Sequence, residues 1–80
     1  MPRYYFDLKD GNGIVVDEEG MDLRDLEAAQ NEAALSLAGM ARDAVATAHR
    51  AEQMEIGVRD DNGAVMLVRF SFEISRKKTS

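Results

Sequence analysis

The chain has 80 residues, a formal net charge of −5 and a hydrophobic fraction of 45%. A chain of this length forms one domain and buries only about 60 to 65% of the surface that its unfolded form exposes, so its core is marginal. It contains no cysteine, which excludes disulfides, thiolate zinc sites and cysteine nucleophiles, and its acidic charge disfavours sequence-independent binding to nucleic acid.

The first predicted element is a β-hairpin. Residues 3 to 8 alternate between two faces and are rich in aromatic residues that favour strands. The residues predicted to point inward are Tyr4, Phe6 and Leu8. Residues 10 to 13, with the sequence DGNG, predict a turn into a short second strand over residues 14 to 16. A type I turn with a glycine bulge would pair Leu8 with Val16.

A long helix is predicted next, from Asp22 to about Arg50, because this stretch is rich in alanine and free of proline. Asp22 or Asp25 would cap its first turn. Residues at helical spacing predict a core-facing stripe. These residues are Leu26, Ala29, Ala33, Leu37, Met40, Ala44 and Ala48.

A second stripe lies about half a turn away on the same helix and consists of Ala28, Leu35, Gly39 and Ala46. Glycine in a helix interior costs about 1 kcal/mol relative to alanine, so a close approach of another helix would account for Gly39. The alternative is that alanine is simply a good helix former at the surface and that Leu35 is a single exposed apolar residue.

A second hairpin repeats the first, with the sequence DDNG at residues 60 to 63. A type I turn followed by a bulge at Gly63 would pair Asp60 with Ala64 and keep the apolar residues of both strands on one face. The predicted inner pairs are Val58 with Met66, Ile56 with Val68, and Met54 with Phe70. The outer pairs are Glu55 with Arg69 and Gly57 with Leu67.

The last strand is predicted to run to about Ile74 and to extend past its partner. Residues 71 to 75, with Ser71 and Glu73 among them, would then be unpaired and able to add another chain to the sheet. Val65 and Leu67 would form a small apolar patch on the outer face. The alternative is that the first strand occupies this edge within the same chain.

No residue pattern predicts catalysis or metal binding. The two Asp-x-Asn-Gly turns resemble the start of a calcium loop, but Ile14 and Ala64 stand at the next ligand position. His49 is the only histidine and has no adjacent serine or carboxylate that would suggest a triad. The acidic residues 17 to 19 predict a solvated loop that places negative charge before the helix. We therefore expect no enzymatic activity and no cofactor.

Four segments together resemble one known family. They are residues 1–6 (MPRYYF), residues 17–20 (DEEG), residues 25–29 (DLEAA) and residues 58–63 (VRDDNG). The family consists of short bacterial proteins with a domain of unknown function, frequent in soil and plant-associated bacteria, and the resemblance implies no activity or catalytic residues. A more distant similarity is to small antitoxin-type modules, which implies binding to a specific protein partner, although the chain lacks their DNA-binding segment.

These patterns predict an α+β fold with ββαββ order, in which one long helix packs on one face of a four-stranded, mainly antiparallel sheet. Strand orders 2-1-3-4 and 2-1-4-3 are both open. Residues 1–75 form the predicted domain, and residues 76–80 a basic disordered tail. We expect a cytoplasmic protein-interaction module that forms a homodimer and binds neither nucleic acid nor membrane. The candidate interface residues are Ala28, Leu35, Gly39, Ala46, Val65, Leu67, Ser71 and Glu73.

Overall fold

A computed structural model gives the fold and describes residues 1–47 and 51–77. The elements follow one another in the chain order β1 (Arg3–Asp10), β2 (Gly13–Val15), β3 (Met21–Asp22), α1 (Leu26–Thr47), β4 (Ala51–Asp60) and β5 (Gly63–Glu73). His49, the core position predicted at Ala48, the predicted helix end at Arg50 and residues 78–80 of the predicted tail lie outside the described residues.

The sheet has the order β2-β1-β4-β5, and every neighbouring pair is antiparallel. The predicted α+β fold is confirmed. The observed order corresponds to the predicted order 2-1-3-4, because the predicted strands 3 and 4 are β4 and β5. The two-residue strand β3, which the sequence did not predict, pairs with the start of β1. β2 and β3 are therefore two parts of one sheet edge, interrupted by residues 16–20.

The predicted register of the second hairpin is confirmed from Val58 to Met54, where these residues pair with Met66 and Phe70. Nearer the turn the prediction was wrong, because Asp60 pairs with Gly63 and the register shifts by one residue between Val58 and Arg59. The fully buried residues of β4 fix the inner register, so the extra residue of β5 is accommodated closer to the turn, where that strand is exposed.

The predicted register of the first hairpin was wrong by one residue, since Leu8 pairs with Val15 and not with Val16. The three residues of β2 are all exposed, so no buried pair imposes a bulge there. The two turns nevertheless agree locally. In each turn an aspartate accepts a hydrogen bond from the asparagine two residues later, Asp10 from Asn12 and Asp60 from Asn62, both at 2.8 Å.

The end of β5 is paired, contrary to prediction. Ser71 pairs with Gln53 and Glu73 with Ala51, because β4 begins at Ala51, closer to the helix than expected. β1 does not take the far side of β5, since it pairs with β4 on the opposite side of the hairpin. Within the part of the chain that the structure describes, β5 is thus the last strand of the sheet, and its outer edge is free.

Asp25, one of the two predicted caps, starts the helix. Its carboxylate accepts a hydrogen bond at 2.8 Å from the N–H of Ala28, which lies three residues further along the chain. The helix begins at Leu26. The predicted start at Asp22 was wrong, because Asp22 belongs to β3 and pairs with Arg3 of β1.

The core lies between α1 and the sheet, where α1 packs against β4 and β5. The buried residues are Tyr4, Ala29, Ala33, Leu37, Ala41, Met54, Ile56 and Val58. Most of the predicted helix stripe is confirmed, with Met40 and Ala44 half-buried against this core. Leu26 is 46% exposed, and Leu23 packs against the core instead, while the buried Ala41 was not predicted.

The helix covers only part of the sheet. Four strands span about 19 Å at about 4.8 Å per strand, whereas a helix with its side chains is about 10 Å across. Because α1 lies on β4 and β5, Phe6 and Leu8 on the helix side of β1 are only half-buried, and Val15 of β2 is 66% exposed. One half of the inner sheet face is therefore open.

We predict that Asp25→Ala lowers the free energy of unfolding by about 0.5 to 2 kcal/mol, because it removes the cap of the Ala28 N–H. Urea denaturation followed by circular dichroism measures this loss. Asp25→Asn is the matched control, since asparagine caps about as well as aspartate. An equal loss in both variants would show that the hydrogen bond is not what Asp25 contributes.

Candidate functional site

The candidate interface residues lie on two different surfaces. Ala28, Leu35, Gly39 and Ala46 lie on α1, and Val65, Leu67, Ser71 and Glu73 lie on β5. Leu35 is 72% exposed and Leu67 is 53% exposed, so both surfaces present a large apolar side chain to solvent. Their surroundings differ in polarity.

Leu35 and Gly39 form one wall of a groove between α1 and the uncovered part of the sheet. The other wall is formed by Phe6 and Leu8 of β1 and Met21 of β3. We call this surface, which Glu32, Ser36 and Met40 also line, the helix-side groove. Its apolar lining consists of residues that are exposed or half-buried, because α1 lies too far toward β5 to cover them.

The sheet residues of the helix-side groove were missed by the sequence analysis. Phe6 and Leu8 were predicted as core residues, and Met21 lies in a strand that was not predicted. The available signal was the width of the sheet, since four strands are wider than one helix. The apolar surface continues along the sheet edge, where Val15 and Val16 border a second shallow hollow shared with β1.

The outer face of the sheet is charged around Leu67. Arg59 donates from Nε to Asp7 Oδ2 at 2.9 Å, and its guanidinium lies 4.5 Å from the centre of the Tyr5 ring. Arg69 donates to Glu55 Oε2 at 2.7 Å, which confirms this predicted cross-strand pair. The predicted apolar patch of Val65 and Leu67 is therefore small and adjoins ion pairs.

Asp17 stabilises the segment of residues 16–20, which separates β2 from β3. Its carboxylate accepts hydrogen bonds from the N–H groups of Phe6, Glu19 and Gly20, each at 3.1 Å. Its own N–H donates to Asp7 Oδ1 at 2.9 Å. The side chain thus takes the place of a strand carbonyl beside β1, and Asp17 has a structural role that the prediction of a solvated acidic loop did not include.

The hydrogen bonds from the Gly20 and Phe6 backbone lower the pKa of Asp17 below its ordinary value of 3.8. A hydrogen bond from Arg3 likewise lowers the pKa of Asp22. Both carboxylates are therefore stabilised in their ionised form by the fold.

Two arginines fasten the same loop from either side. Arg59 donates from Nη2 to the Asp17 carbonyl at 2.7 Å, and Arg3 donates from Nη1 to the Glu19 carbonyl at 2.6 Å. Gly20 follows with φ of +74°, and a Cβ at this position would lie 2.8 Å from Tyr5 Cε2. Asp17 and Gly20 of the DEEG sequence are thus explained by backbone requirements, and the carbonyls of Asp17 and Glu19 accept hydrogen bonds from this chain itself.

Among residues 1–47 and 51–77, no three histidine, aspartate or glutamate side chains are grouped as a metal site would require. No helix in this part of the chain has the length and apolar character needed to cross a membrane.

These features define a small α+β domain whose acidic loop is fastened to the first strand. The family model of the domain of unknown function DUF6894 matches residues 3–72, which is most of the chain. The protein belongs to this family, and the resemblance seen in the sequence is confirmed. No curated protein and no solved structure has significant similarity to the chain.

We predict that Gly20→Ala lowers the free energy of unfolding by about 1 to 3 kcal/mol, because alanine is strained at this positive φ and its Cβ meets the Tyr5 ring. Chemical denaturation measures the loss. Gly11→Ala is the control, since a Cβ at Gly11 meets nothing within 4 Å. A Gly20→Ala variant as stable as the wild type would show that the loop does not need this backbone conformation.

We predict that Asp17→Asn lowers stability at pH 7 by about 1 to 2 kcal/mol, since an amide nitrogen cannot accept the Phe6 hydrogen bond. The contribution of ionised Asp17 is fully present above its unfolded pKa of 3.8 and is lost as the pH falls through its lower folded pKa. The stabilities of variant and wild type should therefore converge below pH 3.8.

Denaturation curves recorded between pH 2 and pH 7 test this dependence. Glu18→Gln is the matched control in the same loop, because within the described residues its side chain forms no hydrogen bond or ion pair. A stability difference between Asp17→Asn and wild type that stays constant down to the lowest pH would contradict the prediction.

Proposed function

We propose that this chain is a non-catalytic module that functions by associating with a second copy of itself to form a homodimer. The observation that carries the proposal is the excess of exposed surface. The chain exposes 6176 Å², whereas a monomeric protein of 8.9 kDa exposes about 4,800 Å² by the usual scaling of surface with mass.

Residues 74–77 beyond β5 are exposed and contribute to this excess of about 1,400 Å², so only part of it is surface that a second copy can bury. Part of it is apolar, because the sheet half beside α1 is open and Leu35 points away from the core. Burying such surface against an identical copy would strengthen a domain whose own core is small. Self-association is therefore favoured by the shape of the monomer.

We expect the purified protein to have a mass of about twice 8.9 kDa at micromolar concentration. Size-exclusion chromatography with light scattering gives this mass, and analytical ultracentrifugation over a dilution series gives the dissociation constant. A mass of 8.9 kDa throughout the series would contradict the proposal. The predicted cytoplasmic location and the absence of enzymatic activity stay predictions.

A further inference from the structure

We propose that two copies associate through antiparallel packing of their α1 helices, centred between Leu35 and Gly39 at the helix-side groove. This inference rests on the proposed self-association and specifies its surface and its geometry. The occupant of the groove is a second copy of this chain.

Gly39 points to a partner because no neighbour among residues 1–47 and 51–77 requires glycine there. It lies in the interior of a 22-residue helix, and a Cβ at this position would meet nothing within 4 Å. Glycine is the least favourable residue in a helix interior after proline. The space left by its missing side chain is open on the groove side, where an apolar side chain from outside can enter.

The stripe that contains Gly39 matches itself when a second helix is laid against it in the opposite direction. In an antiparallel pair centred at the level of residue 37, Leu35 lies beside the partner's Gly39 and Ala28 lies beside the partner's Ala46. The largest exposed residue of the stripe thus meets the position without a side chain. The two alanines at the ends allow the helices to remain close.

Charges at the edges of the stripe agree with the same arrangement. Glu32 borders the groove, and Arg42 is exposed on the same helix. An antiparallel pair centred at residue 37 brings Glu32 to the level of the partner's Arg42, and the two-fold symmetry forms this pair twice. In a parallel pair, Glu32 would instead lie at the level of the partner's Glu32.

The outer sheet face is a less suitable surface for a second copy. Leu67 adjoins the Arg69–Glu55 and Arg59–Asp7 ion pairs, so an interface centred on Leu67 would have to remove these charges from water. Desolvating ion pairs is costly and offsets much of the gain from burying one leucine. The lining of the helix-side groove is mostly apolar, and its one charged residue, Glu32, would gain an opposite charge from the partner's Arg42 when the groove is covered.

Reversal of the two charges tests the pairing. Glu32→Arg or Arg42→Glu alone places like charges together at both symmetric positions, and each should raise the dimer dissociation constant by about tenfold at low salt. The double variant, and an equimolar mixture of the two single variants, should return to about the wild-type value. Single variants that dimerise like the wild type would contradict the proposed geometry.

Leu35→Glu and Leu67→Glu distinguish the two surfaces. Both side chains are exposed in the monomer, so circular dichroism should show that both variants fold. We expect Leu35→Glu to be monomeric at concentrations where Leu67→Glu is still a dimer. Gly39→Leu separates helix stability from dimerisation. Leucine should stabilise the helix of the monomer but should weaken the dimer.

Disulfide trapping gives the direction of the helices, since the natural chain contains no cysteine. In a mixture of Ala28→Cys and Ala46→Cys chains, antiparallel packing should give a mixed disulfide on oxidation. Parallel packing would link Ala28→Cys chains to each other and would overturn the proposal.

The outcomes separate this inference from the proposed function. A wild-type dimer that survives Leu35→Glu but is lost in Leu67→Glu would overturn the helix packing and leave self-association intact. A wild-type chain that is monomeric throughout the dilution series would overturn both.

Discussion

The surface of this protein follows from a mismatch in width between one helix and a four-stranded sheet. The helix lies close to β4 and β5 because the residues it buries include alanines, among them Ala29 and Ala33. This close contact completes the core with small side chains, but it leaves the helix sides of β1 and β2 uncovered. The helix-side groove results from this off-centre position of α1.

At the uncovered edge of the sheet, the loop of residues 16–20 is stabilised by hydrogen bonds between charged side chains and the backbone. Asp17 supplies acceptors where the strand is interrupted, and Arg3 and Arg59 donate to carbonyls of the same loop. This arrangement directs the chain into β3, which places Met21 at the wall of the helix-side groove. The acidic loop therefore has a structural role and determines where the apolar surface ends.

The sequence was sufficient to predict features that depend on local periodicity. The alternation in β4 and β5 gave the inner register at Met54 and Val58, and the alanine spacing gave most of the buried helix face. It was insufficient for features that depend on long-range contacts. The strand β3 exists because Arg3 pairs with Asp22, and the role of Asp17 depends on the distant N–H of Phe6. Likewise, the sheet wall of the groove depends on where α1 lies on the sheet, which the sequence alone does not give.

The two faces of the sheet differ in the side chains that they expose to solvent. The outer face satisfies its charges within the chain, through pairs such as Arg69 with Glu55, and gains little from a partner. The inner face leaves apolar residues beside a helix whose exposed stripe has the same residue spacing in both directions, with Leu35 and Gly39 at matching positions. In a two-fold interface each favourable contact occurs twice, so a modest stripe becomes a substantial contribution to binding. In the proposed dimer, association would stabilise the folded state by mass action, and the second copy would cover the apolar groove that the small core of the monomer leaves open.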